Sequence, residues 1–471
     1  VGGRGTGVGK CLQDDLGIRV ERFFCLMFHK GGCTAAIAAR QARRPGVMKG
    51  MSNSSRLGGI AVAMANRNYR VYTYGAIPSL LGTWIQRMAM GWLAWELTKS
   101  GTWLGLVAFA DLAPTVLTAP IAGAFADRVN RLRMVRIVQY ANILQASALA
   151  YFSLSGLMTI ALLFCLALIQ GATQGVHQPF RQSLIGTIVT REEITSAIGI
   201  KSTIWNTSRL IGPAISAVII IHFGVGITFL VNALSYVPML ISLYMINVKQ
   251  ELKAQKSLAD VPGEILEGIR YAANHTFIGP LLILLFAFSF FGRATAELLP
   301  GFAGAVFGRG ADGLAVLTGD AGFGSLFSGI WLSRRGRLTG LSDILIVIVA
   351  FIAVFQLAVV STDIFWVSVI AFTGWGFMLN GSGIIIQSLI QANVPNEIRG
   401  RVVSLYGMLW LGVPAVGAFA MGTAADFVGF RPPVAVGAGV ILIAFLWALP
   451  RRHRFREEIA KMAGDRQKNA E

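Results

Sequence analysis

Five charged side chains interrupt apolar stretches of the sequence, away from the ends of those stretches. They are Arg87, Asp111, Arg209, Arg293 and Glu297. A charged side chain in hydrocarbon costs about 2.5–3.5 kcal/mol on insertion scales, so each of these groups needs an opposite charge or water beside it. A carboxylate that changes partner can also bind and release a proton, because an adjacent cation favours its charged form and desolvation favours its neutral form. The five residues are therefore candidates for proton coupling inside a membrane.

The spacing of these charges indicates which of them meet. Arg87 and Asp111 lie in successive antiparallel stretches at a similar depth, so we expect them to pair. Arg293 and Glu297 are four residues apart and would share one helix face, either as a coupling pair or as an external gate. Arg209 has no acidic neighbour in its own stretch, so its expected partner is Asp111 or an anionic substrate. A static structural ion pair is the alternative to coupling at these positions.

The stretches that must position these charges are long enough to cross a bilayer. Of the 471 residues, 54% are hydrophobic and 14% are charged, whereas a soluble protein carries roughly 25% charged residues. Apolar runs of about 20 residues are typical of membrane-spanning helices, and runs without alternation exclude a β-barrel. The sequence predicts an all-α polytopic membrane protein with about twelve spans, at 71–97, 103–126, 134–155, 158–179, 196–221, 226–247, 276–302, 313–333, 341–361, 364–390, 402–424 and 432–450.

The net charge of +18 follows the predicted membrane topology. Basic residues concentrate in the N-terminal segment, in the C-terminal tail and in alternate loops. The opposite loops carry only Lys99, Arg309 and Arg431. By the positive-inside rule, both termini are cytoplasmic. The positive charge is therefore explained by basic segments on the cytoplasmic side of a membrane, and we expect no nucleic-acid partner.

The chain divides into five predicted regions. The first is expected to be a disordered cytoplasmic segment or an over-extended start, with the protein beginning near Met51. Two six-helix bundles follow, joined by a charged cytoplasmic linker that contains an amphipathic helix, and a basic tail ends the chain. The regions are 1–70 (N-terminal segment), 71–247 (first bundle), 248–275 (linker), 276–450 (second bundle) and 451–471 (tail).

A short basic motif appears once in each bundle. Gly123-Ala-Phe-Ala-Asp127-Arg128-Val-Asn-Arg131 ends the second predicted span, and Gly329, Arg334 and Arg337 repeat its spacing 206 residues later, with Ser333 in place of the aspartate. Arg87 and Arg293 are separated by the same 206 residues. These repeats predict two pseudo-symmetric halves, related by an axis along the membrane normal.

The motif resembles the loop between helices two and three of the major facilitator superfamily. Further stretches are similar to the bacterial branch of that superfamily that contains the enterobactin exporter and related efflux proteins. The resemblance covers residues 66 to 450 and rests on Gly82-Thr83-Trp84-Ile85-Gln86-Arg87, Pro179-x-Arg181-Gln182, Glu297-Leu298-Leu299-Pro300 and Arg399-Gly400-Arg401-Val402. One departure is Gln170-Gly171, which lacks the preceding arginine of drug–proton antiporters.

The resemblance implies a secondary active transporter that works by alternating access. The expected activity is proton-coupled export of a small organic molecule, siderophore-like or drug-like, across the bacterial cytoplasmic membrane. Arg87, Arg209 and Arg293 favour an anionic or zwitterionic cargo. Gly212-Pro213 would kink a helix or allow close packing. A conformational latch is expected to comprise Gly123, Asp127, Arg128, Arg131, Gly329, Arg334, Arg337, Arg399 and Arg401.

Other activities receive less support from the sequence. An importer, a facilitator or a lysolipid flipper could use the same fold, and so could a non-transporting membrane sensor. The buried charges argue against the sensor, since a scaffold gains nothing evident from their insertion cost. The chain has no Gly-x-x-x-x-Gly-Lys-Ser/Thr motif, nor any nucleophile–base or metal-ligand spacing. We therefore expect no enzyme activity, no metal and no cofactor, and a monomer whose partners are lipid, cargo and protons.

Overall fold

The computed structural model describes residues 58–125, 129–190, 192–247, 261–335 and 340–452. These residues are almost entirely helical. The helices are α1 Gly58–Ala65, α2 Arg67–Thr98, α3 Gly101–Phe125, α4 Arg131–Leu154, α5 Ile160–Ile188, α6 Ile194–Met245, α7 Val261–Asn274, α8 Ile278–Val306, α9 Ala311–Arg335, α10 Leu341–Val360, α11 Phe365–Asn393, α12 Asn396–Leu411, α13 Val413–Val428 and α14 Arg431–Ala448.

Eight helical segments of the described residues are long and apolar enough to cross a membrane. One of them, α6, contains two crossings, because Gly224 adopts φ 81° and ψ 168° and reverses the chain there. Another joins α12 and α13 into a single crossing. The helices α2, α4 and α9 have crossing length but carry more polar residues. Counted in this way, the described residues confirm the predicted all-α architecture of twelve spans.

Polar side chains set where several of these helices begin. The Asn66 side chain accepts hydrogen bonds from the backbone N–H groups of Asn68 and Tyr69 and so caps α2. Asn130 and Thr159 cap α4 and α5 in the same way. Each cap satisfies backbone donors that the first helical turn leaves without partners. The loops between spans are short, so successive helices run antiparallel.

Two predicted boundaries are wrong. Helix begins at Gly58, and the first spanning helix at Arg67, inside the segment 1–70 that we expected to be disordered. The Asn66 cap and the burial of Tyr69 explain this early start. Helix α5 continues to Ile188, nine residues beyond the predicted end at Pro179. Its last two turns carry the buried side chains of Phe180 and Leu184, so packing extends the helix past the apolar stretch.

The helices form two halves with matching internal contacts. In the first half α3 packs against α5, and in the second half α9 packs against α11. The halves meet where α3 packs against α13 and where the first part of α6 packs against α9. We call the two ends of this bundle the Lys99 end, where α2 joins α3, and the Arg131 end, where α4 begins. The two predicted halves are therefore present.

The linker helix α7 packs against the Arg131 end of the second half. The Arg401 guanidinium in α12 lies 2.5 Å from the Glu267 carboxylate in α7. A Cβ added at Gly268 would lie 3.3 Å from the Arg401 side chain, so the two helices are close together. The preceding linker residues, 248–260, lie outside the described residues.

Candidate functional site

An ion triad joins the two halves near the middle of the bundle. The Arg87 guanidinium in α2 lies 2.9 Å from a Glu297 carboxylate oxygen in α8 and 3.7 Å from an Asp111 carboxylate oxygen in α3. All three side chains are partly buried. The structure thus brings Arg87 to Asp111, and it adds a carboxylate from the other half. A single guanidinium shared by two carboxylates can move its bond from one to the other.

A network of buried amides holds the Asp111 side of this triad. Asp111 is hydrogen-bonded to Gln170 in α5, and Gln170 accepts a bond from Gln86. Gln86 also donates to Gln145 over 3.0 Å and accepts from Asn232 over 2.6 Å. A buried polar network rigidifies its members when their hydrogen bonds are satisfied. These amides therefore fix the orientation of Gln170, and Gln170 fixes Asp111 opposite Arg87.

Irregular backbone explains why Glu297 faces Arg87. Residues Arg293–Leu298 form a 3₁₀ helix between two π-helical turns. Residues three apart are in register in a 3₁₀ helix, so a spacing of four turns the side chains away from each other. The expectation that Arg293 and Glu297 share a face is therefore wrong. Glu297 points to the first half, and Arg293 lies 4.5 Å from the ring centroid of Trp410.

Arginines and tryptophans surround the triad. Trp84 lies beneath two guanidinium groups, with Arg87 at 5.8 Å and Arg209 at 5.9 Å from its ring centroid. Arg209 therefore contacts an aromatic ring, and the expected pairing with Asp111 is not what the structure shows. In the second half Trp410 stacks on Tyr406 with an interplanar angle of 10°. These rings were not predicted from the sequence, because their contacts with the arginines depend on how each helix is rotated about its axis.

The charges in this cluster do not cancel. Electrostatic interactions connect Arg209 and Arg293 with Arg87 and Glu297. With both carboxylates ionised, three guanidinium groups face two carboxylates, which leaves one net positive charge. Arg209 and Arg293 contact faces of aromatic rings, which attract cations but carry no net charge. The arrangement therefore suits an anionic group placed between the two halves.

A second polar contact joins the halves at the Lys99 end. The Asp426 carboxylate in α13 accepts hydrogen bonds from the Ser100 hydroxyl at 2.6 Å, from the Thr102 N–H at 3.0 Å and from the Gly101 N–H. It thus caps the N-terminus of α3, where the helix dipole favours an anion. Asp426 was not predicted from the sequence. The available signal was the spacing Gly422-Thr-Ala-Ala-Asp426, which repeats Gly123-x-x-x-Asp127.

Backbone contacts close this end still further. A Cβ at Gly101 or Gly422 would collide with the backbone carbonyl of the other glycine, and one at Gly105 would collide with the Ala418 carbonyl. Trp95 packs edge-on against Phe430, with ring centroids 5.6 Å apart. Only glycine allows helices of the two halves to approach this closely. The Lys99 end is therefore closed in this conformation.

The described residues of the expected latch contact their own half or the linker helix. Arg131 donates to the Thr187 hydroxyl over 2.7 Å, and Arg399 donates to the Val394 carbonyl over 3.0 Å. Arg401 pairs with Glu267 of the linker helix, and the cluster of Arg399 and Arg401 with the basic motif stays a prediction. Arg334 is exposed, and open space surrounds Gly123 and Gly329. Asp127, Arg128 and Arg337 lie outside the described residues.

Gly212 and Pro213 serve close packing in this structure. A Cβ at Gly212 would lie 2.7 Å from the Cβ of Trp84, so α6 presses directly on α2. Within α6 the backbone angles are non-helical at Gly224 and not at Pro213. Among the residues that the structure describes, no group of three or more His, Cys, Asp or Glu side chains is placed to hold a metal ion.

Comparison with known proteins agrees with this architecture. The family model described as transmembrane secretion effector matches residues 61–469. A Staphylococcus aureus protein named staphyloferrin A transporter is 25% identical over 355 residues, which cover 74% of this chain and 87% of that protein. YkuC, an uncharacterized MFS-type transporter of Bacillus subtilis, is 23% identical, with 72% and 80% covered. The solved structure of a peptide transporter POT superposes with a TM-score of 0.68 at 11% identity, covering 83% of this chain and 96% of that chain.

Proposed function

The chain belongs to the transmembrane secretion effector family of the major facilitator superfamily, and we propose that it exports a small organic anion from the bacterial cytoplasm in exchange for protons. Membership in this family makes the protein a membrane transporter. The direction, the coupling ion and the cargo are the proposal. The observation that carries it is the Arg87 guanidinium shared between Asp111 of the first half and Glu297 of the second.

The distribution of basic residues supports an orientation of the chain in the membrane. The Arg131 end carries the arginine-rich loops, so the positive-inside rule assigns it to the cytoplasm. The Lys99 end then faces outward. Since the Lys99 end is closed by the Asp426 cap and by the glycine contacts, this conformation is the one that receives cargo from the cytoplasm.

Protonation of Asp111 would strengthen the contact between the halves. A neutral Asp111 no longer attracts Arg87, so the guanidinium pairs with Glu297 alone and holds the Lys99 end closed. Loss of that proton would return Arg87 in part to Asp111, within the first half, and weaken the bridge. A proton taken from outside therefore favours the conformation open to the cytoplasm, where it leaves.

An anionic cargo would act in the opposite sense. A carboxylate placed between Arg209 and Arg293 also attracts Arg87 and so competes with Glu297 for it. The bridge between the halves then weakens and the Lys99 end opens outward. Because proton and cargo favour opposite conformations, the exchange runs as antiport, and proton entry drives cargo export. The name of the Staphylococcus aureus relative, staphyloferrin A transporter, supports a siderophore-like cargo.

Uptake into inverted membrane vesicles tests this proposal. The panel contains carboxylate and catecholate siderophores, macrolides and cationic dyes, each with and without a protonophore. We expect uptake of an anionic member that the protonophore abolishes. Uptake that persists with the protonophore would contradict proton coupling and favour a facilitator. Uptake of cationic dyes alone would contradict the anionic cargo, and outward movement from these vesicles would favour an importer.

Asp111→Asn separates coupling from transport itself. The variant cannot lose its proton at this position, so we expect proton-driven uptake to fall by at least about tenfold, the effect of 1.4 kcal/mol on an equilibrium. Cargo-for-cargo exchange should remain, since it needs no net proton movement. Proton-driven uptake equal to that of the unchanged protein would remove Asp111 from the coupling role. Glu192→Asn, which changes an exposed carboxylate outside the spans, is the matched control.

A further inference from the structure

A buried cation in the first half has no carboxylate partner. Arg181 in α5 is 5% exposed. Its guanidinium makes a 3.5 Å hydrogen bond to Gln178 and lies 6.0 Å from the ring centroid of Trp205. Its Nε is buried without a hydrogen-bond partner. Among the described residues, no carboxylate lies within ion-pairing distance of it. A buried charge without a counter-ion is strongly unfavourable, so this position calls for an anion.

Two further basic side chains surround Arg181. His177, one helical turn away in α5, is 7% exposed, and its Nε2 is buried without a hydrogen-bond partner. Lys201 in α6 lies close enough to interact electrostatically with Arg181. Unsatisfied buried donors in a folded protein need an explanation, and an absent ligand is one. Arg181, Lys201 and the His177 imidazole therefore interact electrostatically with one another between α5 and α6.

This cluster is joined to the central site by aromatic rings. Trp205 contacts the Arg181 guanidinium on one side and meets Trp84 edge-on, with ring centroids 5.5 Å apart. Trp84 in turn lies under Arg87 and Arg209. The basic cluster lies nearer the Arg131 end, since Arg181 is in the last two turns of α5 and Lys201 is near the start of α6. Both tryptophans are only partly buried.

We propose that Arg181, His177 and Lys201 form a second anion-binding site, which takes a carboxylate group of the cargo on the way from the Arg131 end to the central arginines. Trp205 forms one wall of this site, between Arg181 and Trp84. The anion moves from this site along Trp84 to Arg209. The assignment of the anion to the cargo rests on the proposed function, whereas the anion site itself rests on the unpaired cations. A tricarboxylate such as citrate is a suitable probe, because its several carboxylates can meet Arg181 and Lys201 together.

Tryptophan fluorescence tests the site directly. The purified protein is placed in nanodiscs of phosphatidylcholine and titrated with citrate, and Trp205→Phe identifies the part of the signal that comes from Trp205. We expect citrate to quench that signal. Arg181→Gln should weaken citrate binding at least about tenfold, since it removes a charge-assisted hydrogen bond to the anion, and Arg181→Lys should restore part of it. Equal citrate affinity in Arg181→Gln and the unchanged protein would overturn the proposal.

Two further variants distinguish loss of the site from misfolding, and a change of lipid distinguishes the cargo from a lipid headgroup. Lys99→Gln removes a cation 5.3 Å from the Trp95 ring at the opposite end and should leave citrate binding unchanged. Lys201→Gln tests the site without touching the more buried Arg181, and it should also weaken binding. If phosphatidylglycerol in the nanodisc quenches Trp205 and citrate does not, the site belongs to a lipid headgroup and the cargo assignment is wrong.

Transport separates this inference from the proposed function. Arg181→Gln should raise the cargo concentration needed for half-maximal uptake about tenfold, while the maximal proton-driven rate is kept. Loss of proton drive in the unchanged protein would defeat the antiport proposal but leave the citrate titration as the test of the site. Unchanged concentration dependence in Arg181→Gln would defeat the second site and leave antiport intact.

Discussion

The two ends of the bundle are held together in different ways. At the Lys99 end the halves touch through backbone, with glycine against glycine and the Asp426 carboxylate on the first N–H groups of α3. At the Arg131 end the arginines Arg131 and Arg399 bond to groups of their own half. Contacts between the halves must break when the conformation changes, whereas contacts within a half persist. The Lys99 end is therefore the closed gate of this conformation, whereas these contacts of Arg131 and Arg399 each lie within one half.

Gly105→Ala should have the largest effect on the closure of the Lys99 end. The added methyl group collides with the Ala418 carbonyl and holds α3 away from α13. Overpacking costs about 1–3 kcal/mol, which shifts the balance of conformations by about 5- to 150-fold away from closure of the Lys99 end. Distances between spin labels placed at the Lys99 end would report the shift.

Gly186→Ala is the control for this change. It adds the same methyl group to α5, at a glycine with open space around it, and it should leave the label distances unchanged. If both variants closed the Lys99 end as fully as the unchanged protein, the glycine contacts would not be part of the gate.

Asp426→Asn should loosen the same end more mildly. An amide keeps one accepting oxygen, but its NH2 group cannot accept the hydrogen bonds that the second carboxylate oxygen accepts. It also lacks the charge that interacts with the α3 dipole, an interaction that contributes about 0.3–1 kcal/mol. We expect at least a two- to fivefold rise in the reactivity of a cysteine placed behind the gate, which is about the factor that the dipole energy alone gives. Asp363→Asn removes a carboxylate at the same end that pairs with Arg431 within the second half. Equal effects of the two changes would contradict a special role for Asp426.

The smallest effect is expected at the Arg131 end, from Glu193. Its carboxylate accepts hydrogen bonds from the Thr190 N–H at 2.9 Å and from the Asn66 side chain at 3.1 Å, and these bonds lower its pKa. A lowered pKa in the folded state adds stability above the usual glutamate value of 4.5, and this contribution disappears as the pH falls through the lowered pKa. Because the group is only partly buried, the change in stability should be small.

Thermal unfolding between about pH 6 and pH 3 checks this, since the range brackets the ordinary glutamate pKa. Glu193→Gln should lose part of the acid dependence. Glu192→Gln removes a neighbouring carboxylate that receives none of these bonds and should keep it. Identical pH profiles for Glu193→Gln and the unchanged protein would show that the cap does not respond to pH.

Sequence patterns were enough to predict the twelve spans and the two halves, because apolar length and the 206-residue repeat are properties of the chain itself. They were also enough to place Arg87 beside Asp111, since two antiparallel neighbours bring equal depths together. They could not predict Glu297 opposite Arg87, because that depends on the 3₁₀ and π-helical turns of α8. The rings beside Arg209 and Arg293 were missed because helix rotation, which repeats and hydropathy do not encode, decides which side chains face each other.

The proposed antiport depends on the movement of Arg87 between its two carboxylates, and spin-label distances at the Lys99 end measured against pH test this movement most directly. In the unchanged protein, low pH should favour the closed end and high pH the open end. Without cargo, Asp111→Asn should stay closed at every pH, because Arg87 then pairs with Glu297 alone. Glu297→Gln should lose closure at every pH. A pH response of Asp111→Asn identical to that of the unchanged protein would contradict the exchange of partners.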